Sequence, residues 1–307
     1  MAAELSGRVA LVAGATRGAG RAIAVELARA GAFVYATGRS SRVSGPSDMA
    51  RPETIEETGD LVVAAGGQGC ALRVDHLDTD AVRALIDRIR SERGRLDVLV
   101  NDIFGGDRYA QWETPLWEHD LDGGLRMLRM GIETHIITAA VALPLILETG
   151  DGLLVEMTDG TSEANAGDRP GVGFYYDYVK AGVDRLVRNF ARDLHGTGVA
   201  AVGVTPGWLR SERMLEGFGI TEENWRDFCS REPSFAISES PAYVARGVCA
   251  LAANEDRHRF AGRVMTARQL ADAYDVTDVD GSRPDCWGLI ADRGWSEEDP
   301  EVIQRYR

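Results

Sequence analysis

The chain has 307 residues, 44% of them hydrophobic and 27% charged, with 34 basic against 48 acidic residues and a formal net charge of −14. That composition describes a globular protein able to bury a sizeable core and excludes a disordered chain. The acid excess argues against nucleic acid or an anionic membrane as partner, because both need a basic face.

Met1 to Arg8 lacks the basic-then-apolar pattern of a signal peptide. Val9–Ala13 is a short apolar run stopped by Gly14 and reads as a buried strand. Arg21–Ala30 carries apolar residues at helical spacing, with Gly31 just past its end. Ala32–Thr37 reads as a second strand, residues 41–52 as a flexible surface loop and Thr54–Ala65 as a helix. Cys70–Val74 is a third strand, and Asp78–Arg90 a helix with Val82, Leu85, Ile86 and Ile89 on one face. Leu96–Val100 is a fourth strand, and a long helical region from Leu116 to Leu147 follows, with a break expected at Gly123-Gly124. Its most apolar part, Ile136 to Leu147, is too short to span a bilayer. Leu153–Met157 is a strand, Tyr175–Leu194 a helix and Val199–Val204 a strand. An insert covers Trp208 to Ser238. Pro241–Ala253 is a helix and Arg263–Thr266 a last short strand.

Strands alternating with helices of this length mean βαβ units: an α/β, Rossmann-type, doubly wound parallel sheet in a three-layer α/β/α sandwich. No linker or repeat divides the chain. The reading is one dinucleotide-binding domain over 1–307, with a substrate-loop insert at about 208–240 and an acidic C-terminal extension at about 270–307. The extension holds Asp272, Asp275, Asp278, Asp280 and Asp285, a run that reads as solvated surface. Cys70, Cys229, Cys249 and Cys286 match no zinc spacing and read as reduced thiols of a cytoplasmic protein. No metal site is expected.

The first strand runs into Gly14-Ala15-Thr16-Arg17-Gly18-Ala19-Gly20 and then a helix. Glycines at this spacing let the backbone come close to a pyrophosphate seated at the helix N-terminus. The second strand ends in Thr37-Gly38-Arg39-Ser40, with no carboxylate for an adenosine ribose. Arg39 offers a planar cation for a 2′-phosphate, flanked by Arg17, which favours NADP(H) over NAD.

These residues resemble the short-chain dehydrogenase/reductase family over about residues 5 to 270. The glycine spacing matches. Asp75 stands where the family sets an aspartate against the adenine amino group. Asn101-Asp102-Ile103-Phe104-Gly105 is similar to its Asn-Asn-Ala-Gly motif, with changes. Tyr176-Asp177-Tyr178-Val179-Lys180 matches Tyr-x-x-x-Lys, and Pro206-Gly207 followed by Ser211 matches the segment meeting the nicotinamide end. Trp112-Glu113-Thr114-Pro115, the strand at 152–155 and the tail around 274–281 resemble the family's dehydrogenase/reductase member 1 subgroup. The resemblance implies nicotinamide-dependent redox chemistry on a small molecule, cofactor contacts from Gly14, Thr16, Arg17, Gly18, Gly20, Arg39, Asp75, Asn101, Lys180, Pro206, Gly207 and Ser211, and a homodimer or homotetramer.

Tyr176 and Lys180, at i and i+4, share a helix face. A neighbouring ammonium favours the phenolate, so Tyr176 can exchange a proton while the cofactor carries the hydride. Tyr175 and Tyr178 lack a lysine four residues on. Two departures stand out. Where the family keeps a substrate-binding serine, this chain has Asp159, and a carboxylate repels a developing alkoxide. Three readings stand open: Thr158 or Thr161 supplies a hydroxyl, Asp159 is protonated and donates, or the substrate presents a positive or donor group such as an iminium or amine. Where the family keeps an asparagine in the fourth helix, Arg129 stands, able to pair with Asp159 or to face solvent. His135 can face the same cleft or be a satisfied core histidine.

The insert's Trp208, Leu209, Met214, Leu215, Phe218, Trp225 and Phe228 suit an apolar or flat substrate, or pack the insert down. Trp112 and Trp117 suit the cleft mouth or a subunit contact. The leading reading is an NADPH-dependent reductase of a carbonyl, or an imine, in a medium-sized hydrophobic molecule. A redox-neutral isomerase and a non-catalytic NADP sensor are the alternatives.

Overall fold

In the computed structural model, which describes residues 4–295 and 297–307, seven parallel strands form one sheet in the order β3-β2-β1-β4-β5-β6-β7. The strands are β1 Val9–Ala13, β2 Phe33–Gly38, β3 Gln68–Arg73, β4 Val98–Asn101, β5 Gly152–Met157, β6 Val199–Thr205 and β7 Val264–Thr266. Every residue of β1, β4, β5 and β6 is buried, as expected for a parallel sheet covered on both faces. Alternate side chains serve opposite layers: Ala10 and Val12 pack into one core cluster, Val9 and Leu11 into the other.

The helices are α1 Gly18–Arg29, α2 Ile55–Ala64, α3 Thr79–Arg93, α4 Leu121–Leu128, α5 Thr134–Leu147, α6 Ser162–Ala166, α7 Phe174–Asp193, α8 Glu212–Phe218, α9 Pro241–Ala253, α10 Ala267–Tyr274, α11 Cys286–Arg293 and α12 Pro300–Ile303. Strand order reverses between β1 and β4, and the crevice at their C-terminal ends is where a doubly wound sheet holds its ligand.

Three expectations need correction. The long helix does not break at Gly123-Gly124, which lie inside α4. A Cβ on Gly124 would come within 2.2 Å of the Tyr175 ring, so the glycine serves close approach to α7. The interruption is instead a π-helical turn at Arg129–Glu133. Leu121–Leu147 is thus 27 residues with a mean hydropathy of 1.7 in its most apolar window, long and apolar enough to cross a bilayer. Its contacts with α3, α7, β4 and β5 account for that composition. Finally, the acidic tail is not all solvated. Asp278 is buried, accepting from the Ser240 amide and hydroxyl beneath Arg210, and Asp285 caps α11. Only Asp272 and Asp275 fit the surface reading well.

A buried polar chain ties β2 to α5. Thr37 Oγ1 and Thr138 Oγ1 each lie 2.8 Å from a ring nitrogen of His76. Burial pushes the His76 imidazole down to about 4, against an ordinary value near 6.5. The unfolded chain therefore binds the extra proton first as pH falls through this range. Stability contributed by neutral His76 is complete above about 6.5 and is lost down to about pH 4, an effect of about 3 kcal/mol. Denaturant unfolding between pH 4 and 7 should show a shallower pH slope in His76→Gln than in the wild type.

Candidate active site

The turn after β1 closes tightly. Gly14 has φ +89°, and a Cβ there would stand 2.1 Å from the Asp102 carbonyl at the end of β4. Glycine is required, and the bare backbone leaves a cradle between β1, β4 and the start of α1. One cavity of about 980 Å³ begins at this cradle and runs to Tyr176. Gly14, Thr16, Arg17, Gly18, Arg39, Asp75, Lys180, Pro206, Gly207 and Ser211 all line it. Gly20 sits behind the turn, against the Gly14 carbonyl.

Asn101 does not line the cavity. Its amide is fully buried and donates to Glu156 Oε1 at 2.8 Å and to the His135 carbonyl at 3.4 Å. The expected cofactor contact is thereby replaced by a structural one. His135 belongs to the same buried set, with Nδ1 2.5 Å from Glu156 Oε2 and Nε2 donating to the Ile103 carbonyl at 2.9 Å. It is a satisfied core histidine holding the Asp102–Gly105 loop. Burial pushes the Asp102 carboxyl on that loop up to about 6, against the opposing pull of Lys180.

Arg39 and Arg17 occupy separate surroundings. Arg39 pairs with Asp48 at 2.7 Å, a residue of the 41–52 loop, while Arg17 pairs with Asp107 at 3.3 Å. Both guanidinium groups border the same cavity.

Helix α7 presents Tyr176 and Lys180, both half-buried, to the far end of the cavity. The Lys180 ammonium lies 3.7 Å from the Phe104 ring centroid and 5.3 Å from that of Tyr176. Phe104 and Trp112 pack on the Tyr176 ring at 5.6 and 5.0 Å. Tyr176 Oη donates to Asp159 Oδ2 at 3.1 Å. Burial first, then the charges of Asp159 and Asp107, raise the phenol well above its ordinary value, with Arg169 opposing. Burial lowers the Lys180 ammonium. The expected bias towards phenolate is reversed: the carboxylate beside the hydroxyl keeps the proton on it.

Both hydroxyl candidates make bonds within the fold, and Thr158 also lines the cavity. Thr158 Oγ1 donates to the Lys180 carbonyl at 2.9 Å, bracing α7, and Thr161 caps α6. Arg129 faces solvent and pairs with Glu133 at 3.0 Å. The cation on Asp159 is Arg169, at 2.8 Å, which the sequence reading missed. A signal existed: Arg169 is the only basic residue between Met157 and Lys180.

The substrate side divides. Trp208, Leu209, Met214 and Phe218 line the cavity, as does Trp112, while Trp117 stands exposed. Trp225 is buried and Phe228 stacks on Phe218, so both pack the insert. A further wall comes from the C-terminal extension, through Cys286, Trp287, Leu289, Ile290 and Trp295. Trp287 Nε1 donates to the Pro206 carbonyl at 2.7 Å, joining that wall to the Pro-Gly segment.

Residues 8–218 match the family model described as short chain dehydrogenase. Dehydrogenase/reductase SDR family member 1 of Mus musculus and of Homo sapiens is 31% identical over 293 residues, which cover 92% of this chain and 86% of each relative. A 7α-hydroxysteroid dehydrogenase solved with NADH and 7-oxoglycochenodeoxycholic acid superposes with TM-score 0.69 at 22% identity, covering 92% of this chain and 96% of that one. A metagenomic short-chain oxidoreductase solved with NADP gives TM-score 0.62 at 22% identity over 82% of this chain and 94% of that one.

Proposed function

Since the chain belongs to the short-chain dehydrogenase/reductase family, oxidoreductases that bind nicotinamide cofactors, we propose that it is an NADPH-dependent reductase of a carbon–oxygen or carbon–nitrogen double bond in a medium-sized hydrophobic molecule. The observation that carries this reading is Tyr176, held in its proton-donating form beside Lys180 at the end of a cavity that starts at the Gly14 cradle. The bare backbone from Gly14 to Gly18 fits a dinucleotide phosphate, and α1 offers it a helix N-terminus. Lys180, Pro206, Gly207 and Ser211 fit the nicotinamide half.

When bound, the cofactor supplies the hydride. The chain's own part is to place a proton and exclude water. Tyr176 Oη gives its proton to the heteroatom of the reduced bond. Lys180, resting on Phe104, keeps a positive charge near the phenol as it loses that proton. Trp112, Trp208, Phe218 and Trp287 supply the apolar walls for the substrate body.

The NADP preference rests on Arg39, whose guanidinium lies on the cavity wall at the end of β2 with Asp48 as its partner. Arg39→Ala should raise the dissociation constant for NADPH by about 10- to 100-fold, the worth of a charge-assisted phosphate contact. That for NADH should change by less than about threefold, as read by nucleotide fluorescence titration. Turnover with NADPH over ketone, quinone and imine panels, with NADPH consumption matched to product, tests the reductase reading. Product formed without net consumption would defeat it.

A further inference from the structure

The substrate end of the cavity carries acceptors where a ketone reductase needs donors. Tyr176 Oη and Arg169 both donate to Asp159 Oδ2, at 3.1 and 2.8 Å. No hydrogen bond among the described residues ends on Asp159 Oδ1, and 32% of the Asp159 side chain is exposed. The Arg169 side chain is only 3% exposed. Its remaining bonds run to the Asp159 carbonyl and to Asn165 Oδ1, each at 3.3 Å, and its Nε is buried without a partner. The guanidinium, which also lies 3.8 Å from Asp177, therefore holds the carboxylate in place.

A ketone oxygen only accepts hydrogen bonds. Here it meets the Tyr176 hydroxyl, whose hydrogen is directed at Asp159, together with the lone pairs of Asp159 Oδ1. A protonated carbon–nitrogen double bond has the opposite complement. Its N–H donates to Oδ1, and its charge suits the carboxylate and the aromatic face of Trp112, which lines the cavity.

We infer that the site selects a protonatable imine over a ketone, with Asp159 Oδ1 accepting the substrate N–H and Arg169 positioning Asp159. This inference rests on the reductase reading above and names its substrate class. The imine binds neutral, its nitrogen lone pair takes one proton from Tyr176 Oη, the N–H so formed donates to Asp159 Oδ1, and the carbon takes a hydride whose two electrons leave the reduced nicotinamide, which is oxidised. The C=N π pair becomes the amine lone pair, and Tyr176 regains its proton from solvent.

The test is a matched pair of bicyclic substrates, 3,4-dihydroisoquinoline and 1-tetralone, with NADPH and the wild-type protein. The expected kcat/KM ratio favours the imine by about 100-fold, as for a site whose half-buried acceptor is left unpaired by the wrong substrate. Asp159→Ser should collapse that ratio by at least about tenfold. A second readout needs no turnover: tryptophan fluorescence titration with the ammonium 1,2,3,4-tetrahydroisoquinoline and the neutral 1-tetralol in the presence of NADP. The ammonium should bind about tenfold more tightly to the wild type and no more tightly to Asp159→Asn. A wild type that reduces tetralone as well as the imine overturns the inference and leaves the reductase reading standing. If neither compound is reduced, the titration decides alone. Asp159-dependent preference for the ammonium then supports the recognition while the reductase reading falls, and equal binding overturns the recognition too.

Discussion

Tyr176→Phe is expected to lower kcat by about 10³-fold, the usual worth of a positioned general acid, while NADP binding measured by titration changes little. The ring packs on Phe104 and Trp112, and phenylalanine keeps those contacts. What is lost is one hydroxyl, its bond to Asp159 and the proton it delivers. The pH profile carries the sign of that arrangement. Asp159 is a negative charge beside the phenol and raises it further than burial alone. Removing the charge in Asp159→Asn should lower the Tyr176 titration. In the reductive direction the alkaline limb of kcat/KM, where the acid is lost, should then move to lower pH. In the oxidative direction, which needs the phenolate, the same variant should gain activity at a given alkaline pH. A limb that stays in place would show that Asp159 does not act on the phenol.

Local patterns carried the order of strands and helices because a parallel sheet covered on both faces leaves a near-continuous apolar run at each strand, as in β1 and β6. The Tyr176–Lys180 face was legible for the same reason, since helical periodicity alone sets it. Contacts made across the fold were not. Arg169 reaches Asp159 from a loop, through ten residues of chain that include α6, and no periodicity reports such a loop. The C-terminal wall at Trp287 and Trp295 approaches from over 70 residues beyond Pro206. The acidic tail misled because composition counts charges without showing which are buried, and Asp278 is buried. Asn101 misled differently. Its motif position implies a cofactor contact, whereas its side chain points back into the sheet, to the carboxylate of its register partner Glu156.

That buried carboxylate sets the second large effect. Glu156 is fully buried in β5, accepts from the Asn101 amide and lies 2.5 Å from His135 Nδ1. His135 in turn holds the Ile103 carbonyl, so the chain Glu156–His135–Ile103 fixes the loop on which Asp102 and Phe104 stand. Phe104 carries the Lys180 ammonium on its ring. Glu156→Ala leaves the buried Asn101 amide and His135 Nδ1 without their partner and opens a void, and removing one partner of a buried polar pair of this kind costs about 3–5 kcal/mol. Denaturant unfolding should show that loss. Glu156→Gln keeps an acceptor for Asn101 and fills the same volume, so its loss should be less than half as large. The two variants also separate stability from function. At a temperature where Glu156→Ala remains folded, release of the Ile103 loop should weaken NADP binding and lower kcat together, because the loop floors the cofactor cavity and seats the lysine. Equal stability of Glu156→Ala and wild type would mean that the buried carboxylate does not organise this end of the sheet.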